Sequence, residues 1–163
     1  MITGILAITL FFGSGDMARN TMSDVHKKYF MGLSDTELMA RTIWAEARGQ
    51  GYAGQVAVAN VILNRVNDSL KRFGKGVKGV LLKRWAFSCF EPADPNFSGL
   101  MKDINILVMV EARLIAQMAI EGLLLDPTDG ATHYFNPSIA KPSWMSKLEY
   151  KAQIEDHVFY REA

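Results

Sequence analysis

Ser34-Asp35-Thr36-Glu37-Leu38-Met39-Ala40-Arg41-Thr42-Ile43-Trp44-Ala45-Glu46-Ala47-Arg48-Gly49 is the stretch whose reading decides the fold. Ser34 followed three residues later by Glu37 is a capping-box pattern, and Gly49 stands where a helix would end. The spacing predicts a helix over 35–48. At about 3.6 residues per turn, Glu46 projects among Leu38, Met39, Thr42 and Ile43 on the apolar side. Glu37, Arg41 and Arg48 are expected on the opposite, charged side. A carboxyl among apolar groups is desolvated, which disfavours its charged form and raises its pKa. Proteins make a general acid usable near neutral pH in this way. The alternative is a helix-end glutamate that bends back to water or pairs with a neighbouring arginine.

Downstream, Val56, Val58, Val61, Ile62, Leu63 and Val66 make residues 53–67 apolar nearly all round, so this second helix is expected to be buried. Asn60 and Asn64 interrupt it; buried amides need partners, and tying down nearby backbone is the reading favoured over reaching into a cleft. Residues 69–100 are rich in turn formers, with a short helix near 77–84. A long helix is predicted at 103–122 with Ile104, Val108, Ala112, Ile115, Ala119 and Leu123 on its inner face. After Pro127 the character changes: residues 131–135 and 157–160 read as short strands. The fold class is therefore mainly α, an α+β single domain with a small β element in the C-terminal third.

With 163 residues, 49% of them hydrophobic and 21% charged, the chain falls in the size and composition range of one folded domain. We divide it into an N-terminal segment, 1–33, and a main domain that carries Glu46, 34–163. Residues 2–12 are mostly apolar and too few to span a bilayer as a helix. With no basic residues before them and no small-residue cleavage site after, a secretory signal gains little support. A buried element is the first expectation; a membrane-docking or signal-arrest segment is the second. Net charge is +1, so overall charge says little about partners and its distribution says more. Lys71, Arg72, Lys75, Lys78, Lys83 and Arg84 cluster without acids or an aromatic ladder, and are read as a solvated surface rather than a nucleic-acid site. Cys89 is the single cysteine, so no intramolecular disulfide forms. His26, His133 and His157 lack metal-ligand spacing, and no metal or cofactor is expected.

Several segments in order resemble the SleB/CwlJ-type cell-wall hydrolase family, known from spore-cortex lysis and from bacteriophage lysis proteins. They are Ala40 to Gln50, Gly54 to Val66, Phe87-Ser88-Cys89, Ala131-Thr132-His133-Tyr134, Pro142-Ser143-Trp144 and His157-Val158-Phe159-Tyr160-Arg161. The resemblance implies a compact lysozyme-like, lytic-transglycosylase-like fold acting on peptidoglycan glycan strands, with Glu46 as the catalytic residue. It implies cleavage between N-acetylmuramic acid and N-acetylglucosamine, leaving a 1,6-anhydro end. Phe90 stands where tryptophan is expected and Ala86 where glutamine is common. Without a visible peptidoglycan-binding domain or secretion signal, a phage lysis enzyme is expected over a germination enzyme. Such an enzyme is made in the host cytoplasm, acts on the wall or in the periplasm, and works as a monomer.

The chemistry fits one carboxylate. Glu46 can protonate the leaving oxygen and then take the proton of the sugar's own 6-hydroxyl as it attacks the anomeric carbon. A hydrolytic muramidase needs a second acid or a positioned water, for which Glu91, Asp94, Asp129, Glu155 and Asp156 are candidates. Substrate contacts are assigned to Gln55, Ser88, Thr132, His133, Tyr134 and Trp144, with Tyr52, Phe90, Tyr160 and Asn136 as further candidates. The rival reading is a peptidoglycan amidase with Cys89 as nucleophile and His133 or His157 as base.

Overall fold

The computed structural model describes residues 22–162; the apolar run at 2–12 lies outside them. Ser34 caps the helix it was expected to open, accepting the Glu37 N–H at 3.1 Å. That helix, α2, runs Asp35–Ala47 and is preceded by α1, Asp24–Gly32. The reciprocal half of the capping box does not form. The Glu37 carboxylate instead bridges Arg41 (2.8 Å) and Arg113 (2.9 Å), which hold its carboxyl below the usual range. Gly49 takes no left-handed conformation; α2 ends in a right-handed turn at Arg48, whose N–H bonds to Trp44 O.

α3, Tyr52–Asn67, is buried along most of its length, as its all-round apolar sequence predicts. Short α4, Gly76–Leu81, and α5, Phe97–Leu100, lead to α6, Ile106–Ile120. α2 packs along α6 and against α3, and Glu46 is buried on its last turn. The chain then forms β1, His133–Phe135, β2, Glu149–Ile154, and β3, His157–Arg161. These pair antiparallel in the order β1-β3-β2. Phe30 of α1 is fully buried and packs edge-on against Phe90 at 5.1 Å, so the described part of the N-terminal segment shares the one core.

Three expectations are corrected. Arg41 is not on a solvated face: it is 7% exposed and donates to the carbonyls of Leu100 (2.6 Å) and Lys102 (2.9 Å). The inner face of α6 is Met109, Ala112, Ile115, Ala116 and Ala119, while Val108 and Leu123 are exposed. Asn105 caps the helix through Leu107 N–H, so Ile104 and Leu123 fall outside it. With only Glu111, Arg113 and Gln117 among its apolar residues, the helix gives periodicity little to select. β2 was not foreseen, because Glu-Tyr-Lys-Ala-Gln-Ile lies mostly exposed and a bulge between Tyr150 and Ala152 breaks its alternation.

The basic run is fastened locally rather than free in water. Arg72 pairs with Asp68 at 2.9 Å, Lys78 donates to Met31 O at 2.9 Å, and Lys83 donates to Arg72 O. Asn60 and Asn64 tie down backbone, as expected. Asn60 donates to Val56 O and Leu125 O, and Asn64 to Ala131 O and Asp126.

Candidate active site

Glu46 is 2% exposed, on the last turn of α2. An isolated carboxylate there would be strongly disfavoured, so its surroundings decide its state. The Tyr134 hydroxyl, from β1, donates to Oε2 at 2.8 Å. The Cys89 backbone N–H donates to Oε1 at 3.2 Å, and the Ser88 hydroxyl lies 3.5 Å from the same oxygen. Burial raises the Glu46 pKa; the bonds from Tyr134 and Cys89 pull it back without cancelling the shift, and the charge of Asp94 adds to the rise. The result is a carboxyl that holds its proton above the ordinary glutamate range yet is gripped in one orientation.

Two connections bring those donors to Glu46, and one buried arginine holds both. Arg65 of α3, 7% exposed, donates to Thr132 O at 2.7 Å, just before β1, and to Ala86 O at 2.9 Å, just before Ser88. Its guanidinium lies over Phe87 (4.7 Å) and Phe73 (5.4 Å). Burial lowers its pKa to about 10, against the pull of Tyr134 and Glu46, so it stays charged. The signal for this anchor in the sequence is an arginine beside Asn64 in an otherwise apolar helix.

Strand alternation sorts the other candidates. Tyr134 faces inward, stacked on Phe159 at 5.7 Å. His133 and Phe135 therefore face the other way, where Trp144 meets His133 at 5.2 Å and Phe135 at 5.6 Å. Tyr160 joins that outer cluster, 6.1 Å from Trp144. Thr132 is buried and accepts the Glu162 N–H at 3.1 Å. Gln55 binds Glu111 on α6. Asn136 closes a turn onto Ser138 N–H, and Tyr52 is half exposed. Of the residues assigned to substrate, Ser88 and Tyr134 touch Glu46.

The candidate second acids also separate. Glu155, in the β2–β3 turn, accepts the N–H groups of Gly51 (2.6 Å) and Gly54 (3.2 Å) and caps α3 from a distance. Asp156 accepts from Gln50, Asp129 pairs with Lys151, and Glu91 accepts the Trp85 N–H. Asp94 is the one of the five whose charge bears on Glu46. Burial and the neighbouring Glu46 push the Cys89 thiol well above its usual range, the opposite of what a thiolate nucleophile needs.

The sequence model of the cell wall hydrolase family matches residues 49–160. This chain belongs to that family. The spore cortex-lytic enzyme of Oceanobacillus iheyensis is 37% identical over 149 residues, 90% of this chain and 49% of the relative. That of Halalkalibacterium halodurans is 38% identical over 126 residues, 77% of this chain and 34% of the relative. The chain thus spans half or less of the length of these two relatives. The catalytic domain of the germination-specific lytic transglycosylase SleB from Bacillus anthracis matches with a TM-score of 0.64 at 34% identity, covering 80% of this chain and 98% of that one. The helical layer with its small sheet is therefore the SleB catalytic-domain fold, lysozyme-like in class. Within this cell wall hydrolase, Glu46 lies just ahead of the family match, and Ser88, Cys89 and Tyr134 lie inside it.

Proposed function

We propose that this cell wall hydrolase cleaves peptidoglycan glycan strands between N-acetylmuramic acid and N-acetylglucosamine, as a lytic transglycosylase with Glu46 as its single catalytic carboxyl. The observation that carries the reading is a fully buried carboxyl gripped by the Tyr134 hydroxyl and the Cys89 N–H. The similarity to the SleB catalytic domain supports the reaction type.

Protonated Glu46 delivers its proton to the bridging oxygen, and the bond from that oxygen to the anomeric carbon breaks. The leaving sugar departs with a free 4-hydroxyl. Ionised Glu46, stabilised by the Tyr134 and Cys89 donors, then takes the proton of the muramic 6-hydroxyl as its oxygen closes on the anomeric carbon. The carboxyl is regenerated and the product is a 1,6-anhydro ring; no water is consumed. Tyr134 and Cys89 N–H thus act most strongly on the charged intermediate state, where catalysis profits.

The setting we propose is lysis of a bacterial cell by a phage-encoded protein made in the host cytoplasm. It rests on the resemblance to bacteriophage lysis proteins; the two curated relatives named above are spore enzymes. Mass spectrometry of digested murein tests the chemistry. Anhydro-muramyl ends are expected from the wild type and none from Glu46→Gln. Reducing muramic ends would turn attention to Asp94 as a second acid, and released stem peptides would overturn the glycosidic reading.

A further inference from the structure

Lys83-Arg84-Trp85-Ala86 is a tight turn closed by the Ala86 N–H on Lys83 O at 3.0 Å. Trp85 occupies its third position with φ +62°, where turns of this hand favour glycine. A bulky side chain in the left-handed region is an outlier, and such strain concentrates where a side chain must be presented to a ligand. The surroundings hold it there. The Glu91 carboxylate accepts the Trp85 N–H at 3.1 Å, and the Arg84 guanidinium lies 4.2 Å from the indole centre. Yet Trp85 is 59% exposed, so core packing does not explain the cost.

The turn's position gives the exposed ring a use. Trp85 stands three residues before Ser88, and so within about 11 Å of it along the chain; Ser88 and Cys89 reach Glu46. Phe90, the aromatic of this loop that the sequence offered for sugar stacking, is 4% exposed and packed on Phe30. We infer that Trp85 is the loop's substrate-contacting aromatic, a flat platform on which the apolar face of a glycan sugar next to the cleavage point stacks. The inference rests on the glycan-cleaving reading given above. Arg84 and Glu91 are positioning residues for the indole, the first over its ring and the second on its backbone.

The test compares Glu46→Gln with Glu46→Gln carrying Trp85→Gly or Trp85→Tyr, by co-sedimentation with purified murein sacculi and by Tm. Glycine suits the turn, so Trp85→Gly is expected to leave Tm unlowered while weakening sacculus binding about tenfold, a loss of about one decade in Kd. Trp85→Tyr is expected to restore most of the binding. In otherwise wild-type protein, Trp85→Gly is expected to act on KM more than on kcat. Unchanged sedimentation of the glycine variant overturns the platform, as does a fall in Tm with no rescue by tyrosine. If Glu46→Gln still releases anhydro ends, the reading of Glu46 fails instead, independently of Trp85.

Discussion

Tyr134 donates its phenolic hydrogen to Glu46 Oε2 at 2.8 Å across a sequence separation of 88 residues, joining the sheet to the central helix at the reacting carboxyl. The bond opposes burial: it lowers the Glu46 pKa that desolvation raises. Tyr134→Phe is therefore expected to move the basic limb of the pH–rate profile to higher pH, because the acid holds its proton longer. It is also expected to lower kcat roughly tenfold or more through loss of a donor to the ionised carboxylate. A profile that stays in place, measured by turbidity loss of purified sacculi across pH, would separate Tyr134 from catalysis.

Glu46 weakens the fold that presents it. Its folded pKa is raised above the unfolded value of about 4.3, so its contribution is fully present below that pH. It is lost as pH rises through the folded value. Glu46→Gln does not titrate and can still engage Cys89 and Tyr134. It should show a Tm above wild type at pH 8, with the gap closing toward pH 4. Parallel melting curves for the two proteins at both pH values would contradict a protonated, desolvated carboxyl.

His133 works in the reverse direction. Burial, then the charges of Arg65 and Arg72, pull its pKa down to about 4. Its contribution to stability is present above the unfolded value of about 6.5 and is lost as pH falls toward 4. Burial shifts His157 the same way. Between pH 7 and pH 5 the wild-type urea midpoint should therefore fall relative to that of His133→Gln, the opposite trend from Glu46 being common to both proteins. A midpoint difference identical in variant and wild type is the outcome that removes His133 from the account.

Cys89 meets Glu46 through both its backbone N–H and its thiol, and the buried thiol keeps its proton. Cys89→Ser keeps the N–H at 3.2 Å from Oε1 while placing a hydroxyl in a fully buried site. Lysis should persist within a few-fold, because the serine hydroxyl can donate to Glu46 as the thiol does, and Tm should fall modestly from burying the more polar group. Loss of lysis with Tm unchanged would revive a thiol nucleophile.

Arg65 joins the two segments that converge on Glu46, so removing it should damage stability and activity together. Arg65→Met strands the carbonyls of Ala86 and Thr132. A loss of about 2–4 kcal/mol is expected from two unsatisfied buried acceptors, read by urea unfolding. Lysis should fall even at temperatures where the variant is folded, because the Ser88 and Tyr134 segments lose their common anchor. Full activity in the folded variant would confine Arg65 to stability.

The sequence by itself determined α2 and α3, because both are written in local terms: a serine cap, apolar residues at helical spacing, and few competing signals. It also singled out Glu46 by its place on that periodic face, and its ordered segments pointed to the family. Only tertiary structure decided what surrounds the carboxyl. Tyr134, Cys89 N–H and Arg65 reach the site from three distant parts of the chain, and no local pattern encodes which donors meet. Tyr134 and His133 are neighbours in sequence, but strand alternation puts them on opposite faces of the sheet. β2 is mostly exposed and bulged, so it exists through pairing with β3 rather than through its own pattern. The same reason hid the inner face of α6: where apolar residues occupy most sides of a helix, its packing partners choose which of them are buried.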